Sequence, residues 1–138
     1  MKTFELIEHT ADIGIRAFGA TEKETFQNAA TGMFSLICDL ATVTETEEFE
    51  IEVEAEDRET LLVEWLNELL YIYDSRRALL KRFEVIELED TRLRGMAYGE
   101  PLDLHRHVLA TDIKAVTYYM LKVKETPDGW VAEVIFDV

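Results

Sequence analysis

An α+β fold is what this sequence predicts: a two-layer sandwich in which two amphipathic helices cover a mostly antiparallel sheet. Three observations carry that expectation. Two stretches, Phe26 to Ile37 and Leu62 to Tyr73, repeat apolar residues with the period of a helix face. Several shorter stretches alternate apolar and polar residues with the period of a half-buried strand. The resulting order is ββ-α-β-α followed by about four strands, which fits two helices packed on one sheet.

Residues 3–8 and 13–18 read as strands, with Phe4 and Leu6 alternating in the first and Ile13, Ile15 and Ala17 in the second. Thr21-Glu22-Lys23-Glu24 is a capping box, Thr21 accepting from the Glu24 amide while the Glu24 side chain reaches back to the Thr21 amide. Phe26, Ala29, Ala30, Met33, Phe34 and Ile37 then share one face, and the small alanine pair lets that face approach a sheet closely. From Thr42 to Glu56 the period becomes two. Phe49, Ile51, Val53 and Ala55 point one way and Glu48, Glu50, Glu52, Glu54 and Glu56 the other. That row of carboxylates reads as a solvated strand edge whose charge discourages aggregation, in preference to a ladder of cation ligands. Asp57 caps a second helix with the stripe Leu62, Trp65, Leu66, Leu69 and Tyr73, leaving Asn67 and Glu68 on the surface.

Arg76, Arg77, Lys81 and Arg82 form the one concentrated basic patch, placed where the helix ends and its dipole favours cations. Phe83 to Leu88 and Leu93 to Tyr98 are strands joined at Glu89-Asp90-Thr91, and Gly99-Glu100-Pro101 breaks their pairing. Asp103-Leu104-His105-Arg106-His107 is polar and irregular, and on an extended chain His105 and His107 would point the same way. A strand from Ile113 through Val123, a hairpin turn at Pro127-Asp128-Gly129 and a last strand from Trp130 to Val138 complete the chain. No linker or repeat interrupts it, so residues 1–138 form a single domain, with residues 42–100 as an inserted subregion.

Composition narrows the function. A chain of 138 residues that is 48% hydrophobic can bury a full core without staples. Its lone cysteine, Cys38, lies in an apolar helical run and reads as a buried, inert thiol in a reducing compartment. No apolar run approaches the ~18–20 residues of a membrane span and the N-terminus lacks a signal-peptide core, which fits a cytoplasmic protein with no membrane partner. The formal charge of −15 argues against high-affinity contact with nucleic acid, since phosphate binding depends on Lys and Arg. A metal ion or a basic protein is the better partner. No phosphate-cradling glycine loop, paired cysteine or serine elbow is present, so an enzyme is not the default reading.

The most unusual feature is the ending Val134-Ile135-Phe136-Asp137-Val138, an apolar strand with a carboxylate next to its last residue. Asp137 and the α-carboxylate of Val138 leave the same strand end and repel unless a cation or donor lies between them. His9-Thr10-Ala11-Asp12-Ile13 supplies a third carboxylate in Asp12. Such hard oxygen ligands suit Ca²⁺ or Mg²⁺ better than zinc, and His9 is placed to orient a ligand or a bound water. The competing reading leaves Asp12 as a turn residue bonding its own backbone. A two-histidine site at His105 and His107 has no cysteine or third histidine nearby.

Four motifs together extend this reading. His9-Thr10-Ala11-Asp12-Ile13, Trp65-Leu66-Asn67-Glu68-Leu69-Leu70-Tyr71, Lys114-Ala115-Val116-Thr117-Tyr118 and the ending Val134 to Val138 resemble, in order and over essentially the whole chain, the archease family. The resemblance implies an α/β sandwich with an inserted segment. It also implies a small acidic protein that activates the metal- and GTP-dependent RNA ligase of tRNA splicing and RNA repair, promoting its guanylylation and repeated turnover without being a ligase itself. It implies a metal site, typically calcium, at Asp12, Asp137 and Val138. It further implies a functional role for Lys114 and a match of Asp103, Arg106 and His107 to the polar stretch before that lysine. One departure stands out: many members have a histidine where this chain has Tyr119. Beside the activator reading stand a metal-dependent hydrolase using a cation-bound water, with Lys114 or His9 assisting, and a plain acidic adaptor.

Overall fold

The structure, a computed structural model, describes residues 2–9 and 12–138. Its class is α+β, with antiparallel strands and two helices. Strands β1 (Phe4–His9) and β2 (Asp12–Gly19) lead into helix α1 (Glu22–Ile37). After a short 3-10 turn, Leu40–Thr42, come β3 (Glu47–Glu54) and α2 (Arg58–Arg76). β4 (Ala78–Leu88), β5 (Arg92–Pro101), β6 (Ala115–Thr126) and β7 (Gly129–Asp137) follow. Where the periodicity suggested one sheet, the strands form two: a four-stranded sheet in the order β1-β2-β7-β6 and a three-stranded sheet in the order β3-β5-β4. Alternation fixes that a strand has a buried face but not which strands share it.

The helices are shared between the sheets. α1 packs on β2 and β4, and α2 packs on β6 and β3. Ile15, Phe34, Trp65, Leu66, Val85 and Phe136, drawn from both sheets and both helices, belong to one continuous apolar core. Trp65 is fully buried, and its indole Nε1 donates to the Phe26 carbonyl of α1 at 3.0 Å. Gly95 makes room for it, since a Cβ there would lie 3.1 Å from Trp65 Cζ3 and 2.5 Å from the Glu84 carbonyl oxygen.

Both helix caps form as the residues dictate. Thr21 Oγ1 accepts from the Glu24 amide at 3.2 Å and Asp57 Oδ1 from the Thr60 amide at 2.8 Å. The Glu24 carboxylate reaches the Ala20 amide at 3.4 Å, one residue before the expected donor. β3 is an edge strand that buries Phe49, Ile51 and Val53 and turns its glutamates to solvent. The basic patch disperses: Lys81 Nζ donates to the Val43 carbonyl, and Arg82 pairs with Glu45 while stacking on Tyr98 at 3.8 Å.

Three local expectations are corrected. β4 begins at Ala78 directly after α2, because Arg77 takes the left-handed conformation at φ 54° and turns the chain within one residue. Gly99-Glu100-Pro101 does not break the pairing of β5, which continues with Glu100 opposite Leu79 and Pro101 opposite Ala78. A proline in the last strand position forfeits little of the ladder. β6 starts at Ala115 and loses its register with β7 between Thr117 and Lys122, where Met120 has φ 54°.

Candidate functional site

One end of the four-stranded sheet gathers most of the expected site residues. β2 begins at Asp12, and its register with β7 sets Ile13 opposite Phe136. Asp12 and Asp137 are the next residues along the two strands beyond that pair. Phe136 is fully buried on the inner face, so its alternating neighbour Asp137 projects outward, as does Asp12 beside Ile13. β6 completes the group: Ala115 pairs with Asp137, and the Lys114 amide donates to the Asp137 carbonyl at 2.8 Å. Lys114, Asp137 and Val138 are exposed and Asp12 is half-buried. His9 is the backbone partner of Asp12 in the β1–β2 ladder, while Thr10 and Ala11 lie outside the described residues.

Gly14 brings these strands together. A Cβ there would sit 2.5 Å from the Val134 carbonyl oxygen and 2.6 Å from Ile135 Cδ1, so a larger residue would push β2 and β7 apart just inside the two aspartates.

The donor set suits a hard cation in kind: two aspartate side chains and the carboxylate of the last residue, all oxygen. Among the described residues, no three His, Cys, Asp or Glu side chains converge as a ligand cage. Such a site would therefore draw its third protein ligand from Val138 or from backbone.

Asp103, Arg106 and His107 form a second hydrogen-bonded group. Its centre is Glu100, which the sequence did not single out. Glu100 is 5% exposed at the end of β5. Its Oε2 accepts from the Thr44 amide at 2.7 Å and meets His107 Nε2 at 3.0 Å, while Arg106 pairs with Oε1. The Asp103 amide donates to His107 Nδ1 at 3.0 Å, so the ring proton sits on Nε2 and is given to Glu100. Burial pushes the Glu100 carboxyl up, but the donors from Arg106, Thr44 and His107 outweigh it and hold the group at about 2. His107 is thus buried and turned inward, while His105 is exposed at the turn with its amide on Asp103 Oδ1. The two histidines do not point the same way, because residues 104–106 form a turn and not an extended chain.

Asn67 was also read as surface. Its Oδ1 accepts from the Val116 amide at 3.0 Å and pins the start of β6, beside Lys114, to α2. No local pattern announces such a contact. Asn67→Leu is expected to cost about 1–3 kcal/mol, the penalty for an orphaned amide, and to speed hydrogen exchange at Val116. Asn67→Asp keeps the acceptor and should retain most of both. Equal losses in the two variants would show that this bond does not hold the strand.

Cys38 is buried, and burial, then Asp39, pushes its thiol up to about 11. Among the described residues, no helix is long and apolar enough to cross a membrane.

Comparison with known proteins agrees over the full length. Residues 4–138 match the model of the Archease protein family (MTH1598/TM1083). The chain is 42% identical to "Protein archease" of Pyrococcus furiosus, with 100% of both chains covered. It is also 42% identical to "Protein archease" of Methanopyrus kandleri, covering 98% of this chain and 99% of that one. The solution structure of Methanobacterium thermoautotrophicum protein 1598 is similar at a TM-score of 0.85 and 38% identity, with 100% of both chains covered.

Proposed function

This chain belongs to the archease family, and from that premise we propose that it activates the RNA ligase of tRNA splicing and RNA repair. Membership supports the broad role, an activator or protein cofactor of an RNA ligase in tRNA processing, and points to a protein that is not itself the catalyst. The finer reading is that it promotes guanylylation of a metal- and GTP-dependent ligase and sustains its repeated turnover. The observation that carries this reading is the full-length family match of residues 4–138, which takes in every site position named above.

A divalent cation, Ca²⁺ or Mg²⁺, is held in this reading by Asp12, Asp137 and the Val138 carboxylate. What supports it is the register that sets Ile13 opposite Phe136 and leaves Asp12 and Asp137 next along the two adjacent strands, since neighbouring carboxylates repel unless a cation lies between them. When bound, the ion supplies positive charge at an otherwise anionic sheet end. Lys114 adds a cationic side chain on the neighbouring strand end, its backbone bonded to Asp137. With a net charge of −15, the protein offers RNA little to grip, so its direct contact is with the ligase.

The test is ligase guanylylation and multiple-turnover joining, without this protein and with the wild type, Asp12→Ala or Lys114→Ala. Wild type should accelerate both reactions and each variant should lose most of that gain. Equal rates with and without wild type would sink the proposal. A second arm needs no ligase: Ca²⁺ should raise the melting temperature of the wild type and leave Asp12→Ala unmoved. Metal-dependent phosphoester cleavage by the protein alone, lost in Asp12→Ala, would favour the hydrolase reading instead.

A further inference from the structure

The loop between β5 and β6 presents three apolar side chains that the described residues leave wholly or partly exposed. Leu104 is 68% exposed, Val108 82% and Leu109 37%. Scattered exposed apolar residues need no explanation; here three fall within six positions of one firmly held segment. The Leu102 amide donates to the Arg77 carbonyl, and the Arg106 and His107 amides to the Asp103 carbonyl. Buried His107 locks the turn to Glu100, and Ala110 and Thr111 donate to the Ile37 and Leu36 carbonyls at the end of α1. An apolar ridge fixed in this way has little ordering entropy left to lose on binding.

We propose that residues 104–109 are a docking ridge that seats in an apolar recess ringed by lysines and arginines on the ligase partner, an inference resting on the activator reading above. Charge selects this occupant. Exposed Asp39, Asp103, Asp112 and Asp137 lie on this loop or the segments bonded to it and outnumber the exposed Arg77 and Lys114 there, while Arg106 is already matched by Glu100. RNA would be repelled by such a surface, and a second copy would bring another −15 to it. An enzyme that binds RNA must instead present a basic face. The apolar side chains supply the desolvated anchor of the contact and the aspartates its orientation. The same loop runs on to Lys114 and its bond with Asp137, so docking the ridge would bring the carboxylate end to the same partner.

The experiment titrates wild type and the double variant Leu104→Ser/Val108→Ser into a fixed amount of ligase and reads turnover. Both side chains are exposed, so the melting temperature should hold. The concentration giving half-maximal activation should rise at least about tenfold, with the plateau rate unchanged. A half-maximal concentration within about twofold of wild type would overturn the inference, as would a lowered plateau at unchanged half-maximal concentration. RNA binding or self-association of the isolated wild type, abolished in the variant, would also overturn it by naming a different occupant. Failure of the wild type to activate at all would count against the activator reading, which separates the two outcomes.

Discussion

Trp65→Ala should lower the melting temperature by roughly 10–20 °C, the shift expected for a loss of about 3–5 kcal/mol in a domain of this size. The residue is fully buried on α2, bonds the Phe26 carbonyl of α1 and covers Gly95 of β5. Removing it opens a cavity among the elements that form the core. Truncation of a side chain that merely fills space would cost less, because neighbours would relax into the gap. Trp65→Phe should fall between wild type and Trp65→Ala: it keeps the six-membered ring, leaves a smaller cavity and loses the bond to Phe26, itself worth about 1 kcal/mol. Thermal unfolding of the three proteins checks the order, and a shift under about 3 °C for Trp65→Ala would contradict the packing.

Glu100→Ala should be nearly as damaging, and its effect should depend on pH. The substitution leaves the Thr44 amide and His107 Nε2–H without their acceptor, at about 1–3 kcal/mol for each orphaned buried donor. The half-exposed Arg106 adds little, since water screens it. Glu100→Gln should fall between wild type and alanine: its one oxygen can serve Thr44 and His107 while its amide faces the half-exposed Arg106. The carboxyl of Glu100 lies at about 2, below its ordinary 4.5. A depressed carboxyl contributes stability that is present above the unfolded value and lost as pH falls through the folded one. The gap in melting temperature between wild type and Glu100→Gln should therefore be full above about pH 4.5 and shrink steadily towards pH 2. A gap constant over that range would show that the charge of Glu100 is not what holds the loop.

Much of this fold was legible because its signals are local. Thr21 and Asp57 announce their caps, the helix stripes fall at 3.6-residue spacing, and the glutamates of β3 alternate with its buried residues. The α+β class followed from those elements and their order. The missed features depend on partners far along the chain. Glu100 sits between a glycine and a proline, a pattern that reads as a break, yet its partners at Thr44 and His107 hold it in a strand. Asn67 lies off the apolar stripe of α2, and only the fold puts it against Val116. Division into two sheets is equally nonlocal, because period-two alternation is identical in both.

The site shows the same boundary. Asp12 and Asp137 could be singled out as carboxylates beside strand ends, but their place at one end of the sheet depends on the pairing of β2 with β7. His107 matched a polar motif by position, while its place beneath the loop required Glu100. The grouping of Asp103, Arg106 and His107 around Glu100 also rests on tertiary structure. It divides the expected residues between a shape-holding role and an outward-facing one.

Strand β7 lies inside its sheet, between β2 and β6, although it is last in the chain. The β1–β2 hairpin can therefore form early during synthesis but cannot find its neighbour until residues 129–137 have emerged. The β3-β5-β4 sheet uses only residues 47–101 and faces no such wait. The pairing of Ile13 with Phe136 spans nearly the whole chain, and closing so long a loop is slow. The approach of Asp12 to Asp137 is thus expected to follow that long closure, as a late event in folding.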